Sequence, residues 1–352
     1  NATTIHRLLQ WSPESGAFIK NETNRLEFDV VIVDETSMMD ITLASALFQA
    51  IASTTQVILI GDIYQLPAVG PGNVLRDLIQ SSKIKTFELN KIFRQAASSN
   101  IILTAHKINR GENPEFRQED TSDCIFIETK DTEDFKSRLF ELITNTLPKK
   151  FNIDPKSEVQ LLSPMKKGDF GTQVLNLELQ TWLNPNNNKN GISRNAYKFF
   201  TGDKVIQCSN NYELNVFNGD IGFILNIDQK ANEATILFGE REIIFNSDQL
   251  SDLQLAYAIT IHKSQGSEFP IVIIPIALSH YVMLQRNLIY TALTRARRYA
   301  IFIGQKKALH MAVGNNRSQK RQTRLSERLL QAERIPAECI QEEWQSPPED
   351  PS

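Results

Sequence analysis

Short apolar runs that stop abruptly at polar residues recur along the chain. Phe28–Val33 (FDVVIV) runs into Asp34-Glu35, Gln56–Ile60 (QVILI) into Gly61-Asp62, and Val159–Leu162 into Ser163-Pro164. Ile271–Ile276 (IVIIPI) and Ala300–Ile303 repeat the pattern. Continuous β-branched runs of this kind predict buried strands of a parallel sheet. Between them, Asp40–Ala52, Ser98–Asn109 and Gln285–Arg298 carry helical spacing, so strand and helix alternate as in an α/β layered fold. In the last of these, Thr291, Arg295 and Arg298 share one helical face, while Ile289, Leu293 and Ala296 pack on the other.

Two stretches break the rhythm. Residues 202–250 are nearly all short strand signals, with turns at Asn218-Gly219-Asp220, Ala231-Asn232 and Gly239, which predicts a small barrel inserted into the α/β layer. Residues 12–28 predict a hairpin with Asn21–Asn24 at its tip.

Composition narrows the class without naming it. Thirty-eight Lys and Arg against 41 Asp and Glu leave a net charge of −3, which by itself points to neither a nucleic-acid binder nor its opposite. The balance hides local contrast: residues 111–141 hold ten acids and four bases, whereas 301–334 hold eight bases and two acids. Arg317, Arg321, Arg324 and Arg328 would form a basic stripe on one helical face, either touching DNA or a partner or standing as an exposed helix end. Residues 335–352 carry five acids, no base and a Pro-rich end, which predicts a disordered acidic tail. The three cysteines, Cys124, Cys208 and Cys339, are odd in number and far apart, which excludes a disulfide scaffold and a CxxC metal site and suits a cytoplasmic protein. No apolar run is long enough to span a membrane, and no basic-then-apolar leader opens the chain.

The chemistry sits at the strand ends. In open α/β sheets ligands bind beyond the carboxyl ends of the strands. Asp34-Glu35 there could divide the work of phosphoryl transfer, Asp34 holding Mg²⁺ and Glu35 orienting or deprotonating a water; equally, the pair could cap the helix that follows. Gly61-Asp62 repeats the arrangement, with Gln65 placed to sense a γ-phosphate. Phe93-Arg94-Gln95 and Tyr290–Arg297 offer arginines that could stabilise charge in that transfer, Arg94 and Arg295 foremost.

In order along the chain, these motifs resemble those of the RecD-like superfamily 1 DNA helicases. Ala2-Thr3-Thr4-Ile5-His6-Arg7 is similar to a motif contacting single-stranded DNA, and Val33–Met38 to a Walker B box. Leu59–Pro67 resembles the motif coupling nucleotide to DNA, and Phe93–Gln95 an arginine motif of the second motor domain. Leu161–Gly168 with Gly171-Thr172 and Leu175-Asn176, then Ala256–Glu268, then Tyr290–Arg297 complete the series over residues 1–330. The resemblance implies two RecA-like P-loop NTPase motor domains, the first truncated at its N-terminus. The first spans 1–88 with a duplex-splitting pin near 12–28, the second spans 89–201 and 251–334, and an SH3-like barrel occupies 202–250.

The resemblance also implies roles. Asp34, Glu35, Gln65, Arg94 and Arg295 would be catalytic; Gly61, Asp62, Gln95, Gly266 and Glu268 would bind ATP. Thr3, Thr4, His6, Lys166, Gly171, Thr260, His262 and Lys263 would hold DNA, and the motor would travel 5′→3′ on single strands and at single-strand/duplex junctions. None of the 15 glycines is followed by Lys-Ser or Lys-Thr, so no GxxxxGK[ST] phosphate loop is present. With Asn1 in place of Met, this reads as a fragment that begins just after that loop and does not hydrolyse ATP alone. Two further readings stand beside a free helicase: the RecD motor subunit of an exonuclease V assembly with nuclease and helicase partners, and a non-catalytic DNA-binding scaffold.

Overall fold

The computed structural model describes residues 2–12, 14–89, 99–116, 122–185, 191–195, 197–317, 321 and 323–331. The chain divides into two compact units, one of Asn1–Ile63, Pro67–Leu89 and Arg321–Ser352, the other of Tyr64–Leu66 and Asn90–Lys320.

The first unit opens with α1 (Ile5–Leu8), capped by Thr4, whose hydroxyl accepts from Arg7 N. A hairpin follows, β1 (Trp11–Ser12) against β2 (Ala17–Phe18), with Trp11 opposite Phe18. It turns earlier than the sequence suggests. Gly16 supplies a positive φ of 60° at the bend, whereas Asn21–Asn24 closes a separate turn in which Asn21 Oδ1 accepts from Thr23 N and Asn24 N. Then β3 (Val30–Val33) and β4 (Gln56–Leu59) pair in parallel, Val30 beside Gln56 and Val33 beside Leu59. Between them α2 (Ile41–Ala50) starts where Asp40 accepts from Leu43 N, and it buries Ala44, Leu47 and Ala50 at helical spacing against Val31 and Val33. The expectation of strands buried on both faces fails in this unit: Val31 and Val33 are 7% and 6% exposed, but Val30 and Ile32 are 46% and 62% exposed. The helix core covers one face of the pair only, and a period of two sends alternate side chains away from it. The next helix is α3 (Val74–Gln80).

The second unit is built on a parallel sheet. Its elements begin with α4 (Asn100–Arg110), β5 (Cys124–Glu128) and α5 (Thr132–Glu141). The short helices α6 (Leu147–Phe151) and α7 (Pro155–Glu158) lead to β6 (Val159–Ser163) and α8 (Thr172–Leu183). A hairpin of β7 (Gly191–Arg194) and β8 (Tyr197–Phe200) leads into the expected antiparallel insert: β9 (Lys204–Gln207), β10 (Ile221–Asp228), β11 (Glu233–Phe238), β12 (Arg241–Phe245) and β13 (Leu253–Leu255). Its strand order is β12-β11-β10-β9-β13. After β14 (Ala258–Thr260) and β15 (Phe269–Ile276) come α9 (Arg286–Leu293), β16 (Ala296–Gly304) and α10 (Lys306–Gly314). The parallel sheet runs β14-β6-β15-β16-β5, so β14 is an edge and β15 lies at the centre. Ile271, Val272, Ile273 and Ile274 of β15 are fully buried, as a two-sided parallel strand requires.

The helix expected over Gln285–Arg298 ends at Leu293, and Arg297 and Arg298 lie on β16 instead. The predicted face therefore does not form: Thr291 is buried beside Ile289 and Leu293, because both sides of α9 meet protein. The insert has no core of its own. Val205, Ile236 and Phe245 pack in one cluster with Leu161, Ile273 and Phe135. Where insert and sheet join, Asp203 is fully buried and accepts from Gln180 Nε2, Asn184 Nδ2, Tyr257 Oη and Phe200 N. Burial pushes its pKa up, against the pull of those four donors.

The last described element, α11 (Leu325–Gln331), belongs to the first unit, where Leu325 and Leu329 pack on the core of α2 and β3. Arg317, Arg321 and Arg324 precede α11 and only Arg328 lies on it, so the expected basic stripe is not one helical face. The tail expected over 335–352 lies outside the described residues.

Candidate functional site

In the first unit the site grows from the carboxyl ends of two parallel strands. Ile60 N donates to Val33 O at 2.8 Å and Thr36 N to Ile60 O at 2.9 Å, so the ends of β3 and β4 are laced together. Asp34 is exposed, and its Oδ1 accepts from Glu35 N at 2.8 Å. Glu35 adopts left-handed backbone, φ 51° and ψ 39°. Such a conformation costs a non-glycine residue about 1–3 kcal/mol, and residues held this way concentrate at functional sites. The capping alternative is settled by Asp40, which caps α2 itself, while Glu35 makes no side-chain cap at the turn Thr36–Met38. Gly61 permits the close approach of β4's end to that turn: a Cβ there would lie 3.1 Å from the amide nitrogens of both Thr36 and Ser37.

The segment after β4 is held at two places. Tyr64–Leu66 pack as part of the second unit, where Leu66 N donates to Thr291 Oγ1 at 2.8 Å and Leu66 O accepts from Gln265 Nε2 at 2.9 Å. Tyr64 and Tyr290 meet edge to face, and Gln65 lies half-buried between these anchors in sequence. In the first unit Ala68 N donates to Ser37 O at 3.0 Å, two residues past Glu35. Neither Gln265 nor Thr291 stood out as a site residue in the sequence, because each acts through a contact some 200 positions away; their place inside the quoted motifs was the only signal.

In the second unit, loops at the carboxyl ends of adjacent strands carry the remaining candidates. Thr260 and Ser163 are register partners at the ends of β14 and β6. Thr260 is buried, and its hydroxyl accepts from Lys263 N, capping the turn Ile261–Ser264. Burial lowers the pKa of His262. Lys263 Nζ donates to Cys208 Sγ at 3.1 Å and Gln254 Oε1 at 3.4 Å. Lys166 is exposed on the loop after β6, and buried Gly171 closes it; a Cβ at Gly171 would come within 2.6 Å of the Lys166 and Lys167 carbonyls. Arg295 is 5% exposed and donates to Ser267 O, while Arg297 pairs with Glu268 at 2.7 Å, so Gly266–Glu268 and Arg295–Arg297 form one neighbourhood. Gly266 is exposed with φ 74°.

Thr3, Thr4 and His6 stand exposed around α1, with His6 against Phe18 of the hairpin. A cavity of about 730 Å³ beside them is lined by Thr3, Arg7, Gln10, Lys20 and Phe28, among others. Gly61 is exposed and Asp62 half-buried at the end of β4. Arg94 and Gln95 lie outside the described residues. Among the described residues no cluster of three His, Cys, Asp or Glu side chains could hold a metal, and no helix is long and apolar enough to cross a membrane.

Residues 1–129 match a family model described as an AAA domain, residues 175–238 the SH3 domain of ATP-dependent RecD-like DNA helicases, and residues 255–303 a UvrD-like helicase C-terminal domain. The chain is 35% identical over 328 residues to the ATP-dependent RecD2 DNA helicase of Deinococcus radiodurans, covering 93% of this chain and 43% of that protein. It is 29% identical over 350 residues to the RecBCD enzyme subunit RecD of Mycolicibacterium smegmatis, covering 94% of this chain and 60% of that one. The chain thus spans about half the length of these curated relatives. A crystal structure of Pif1 helicase from Bacteroides in complex with ADP-AlF3 and ssDNA shares the fold, with a TM-score of 0.51 and 19% identity over 88% of this chain and 80% of that one.

Proposed function

The chain belongs to the RecD-like family of DNA helicases, and on that premise we propose that it carries the motor of an ATP-dependent helicase. The motor moves 5′→3′ on single-stranded DNA and opens single-strand/duplex junctions. The observation that carries this reading is the Asp34–Glu35 turn: two adjacent carboxylates at the end of a parallel strand, Glu35 kept in a strained backbone that the lacing of Val33, Thr36 and Ile60 maintains.

The donor set fits a magnesium–nucleotide pair. Asp34 is exposed with one carboxylate oxygen engaged by Glu35 N, and the other is suited to a hard cation, directly or through water. Bound Mg²⁺ would neutralise phosphate charge. Glu35 orients the attacking water and takes up its proton, Gln65 reports the γ-phosphate, and Arg295 and Arg94 stabilise developing negative charge. Gly61, Asp62, Gln95, Gly266 and Glu268 border the nucleotide, and no GxxxxGK[ST] phosphate loop occurs in these 352 residues. Thr3, Thr4, His6, Lys166, Gly171, Thr260, His262 and Lys263 follow the DNA backbone without reading sequence, Thr260 and Gly171 by shaping their loops rather than by exposed side chains.

Glu35→Gln in the full-length protein tests the reading. Removing the base while keeping the shape is expected to lower DNA-stimulated ATP turnover by at least about 100-fold, with single-stranded DNA affinity retained. Turnover at the wild-type rate would sink the assignment. Likeness to the RecD subunit at 29% supports a second reading, a motor working beside nuclease and helicase subunits; stable co-purification of such partners would favour it over a free helicase.

A further inference from the structure

Pro67 to Gly72 reads PAVGPG, with two prolines and two glycines in six residues, and it makes no strand or helix. Three of its carbonyls nevertheless converge on one cation. Arg321 Nη1 donates to Gly70 O at 2.8 Å and Gly72 O at 3.0 Å, and Nη2 donates to Ala68 O at 2.8 Å. The opposite side of the loop is fixed too: Ala68 N donates to Ser37 O, Ile41 N donates to Pro71 O at 2.9 Å, and Gly70 lies so close to Asp40 that a Cβ would meet its carboxylate. Arg321 is itself anchored. Two residues on, Thr323 Oγ1 donates to the buried Asp77 Oδ2 of α3 at 2.6 Å, and Leu325 and Leu329 enter the first unit's core.

We propose that Arg321 is a positioning residue for phosphoryl transfer, setting the loop that holds the Asp34–Glu35 turn. The proposal rests on the functional reading above. The chain of contacts is short: Arg321 holds Ala68, and Ala68 holds Ser37 of the turn beginning at Glu35. Four of the six loop residues are proline or glycine. Ala68 N and Pro71 O bond to other backbone groups, and for the carbonyls of Ala68, Gly70 and Gly72 the planar guanidinium fork replaces the ladder that a strand would supply. A lysine ammonium carries the charge but cannot reproduce that planar spread of donors.

Hydrogen exchange and steady-state kinetics on the full-length protein test it together. Arg321→Ala should speed exchange in a peptide covering residues 61–72 while peptides from β15 and β16 stay unchanged. DNA-stimulated kcat should fall about 10- to 100-fold, the scale of a small misplacement of reacting groups, with the KM for ATP held within about twofold. Arg321→Lys should share the kinetic defect, and it stands in should the alanine variant fail to fold. Unchanged exchange at 61–72 would overturn the proposal, as would faster exchange with wild-type kcat. A wild-type protein without DNA-stimulated turnover would overturn the functional reading and this proposal with it; an active wild type with an equally active Arg321→Ala overturns the proposal alone.

Discussion

Asn176→Ala should destabilise the second unit far more than a typical surface substitution. Strand β14 is an edge of the parallel sheet, and Ala258 in it is register partner to Leu161 of β6. An edge strand presents outward N–H and C=O groups without a ladder. Asn176 on α8, itself 2% exposed, supplies the missing partner: its Nδ2 donates to Ala258 O and its Oδ1 accepts from Ala258 N, both at 2.8 Å. Truncation to alanine leaves two buried backbone groups unsatisfied at about 1–3 kcal/mol each, which gives roughly 2–6 kcal/mol in all. Ala258 leads directly to Thr260 and His262, so the same change should weaken single-stranded DNA binding. Urea unfolding followed by far-UV circular dichroism, analysed for midpoint and slope, reads the stability; fluorescence anisotropy of a labelled oligonucleotide reads the binding. A loss below about 1 kcal/mol would refute the reasoning, since it would mean that water or a neighbour satisfies both groups.

Two further perturbations follow from the same geometry. Gly70→Ala should cost about 1–3 kcal/mol of stability by thermal melting, because the new methyl overlaps the Asp40 carboxylate that caps α2. His280 is 2% exposed, and burial pulls its pKa down from 6.5 to about 4. The depressed folded pKa means that its neutral form belongs to the folded state. Its contribution is therefore full above pH 6.5 and is lost as the pH falls towards 4, on the order of 3 kcal/mol in all. In His280→Gln the fall in stability between those pH values should be shallower; an identical pH profile would remove His280 as the cause.

Much of the site could be read from local pattern. Asp34-Glu35 and Gly61-Asp62 follow apolar runs, and a run that ends in polar residues marks a strand's carboxyl end whatever packs around it. The antiparallel insert was legible for a similar reason, since Asn218-Gly219-Asp220 and Gly239 punctuate short strands. The errors came where local pattern admits two outcomes. Gln285–Arg298 has helical spacing throughout, yet Arg295–Arg298 leave the helix, because β16 gains a parallel partner in β15 from Phe269 onward. Asn21–Asn24 is a good turn in any context, and only the pairing of Trp11 with Phe18 decides that the hairpin bends elsewhere.

The order of the motifs, the chemistry of the carboxylates and the division into α/β layers plus a β insert are properties of sequence, because periodicity and residue type act over a few neighbouring positions. Which groups hold those motifs in place is not. Leu66 is gripped by Gln265 and Thr291, the edge of β14 is closed by Asn176, and the Pro67–Gly72 loop is gathered by Arg321. Each contact joins residues some 80 to 250 positions apart and satisfies a backbone group that no local element can reach. Only the folded chain brings such partners together, and a basic stripe in sequence becomes, in three dimensions, a single guanidinium closing a loop.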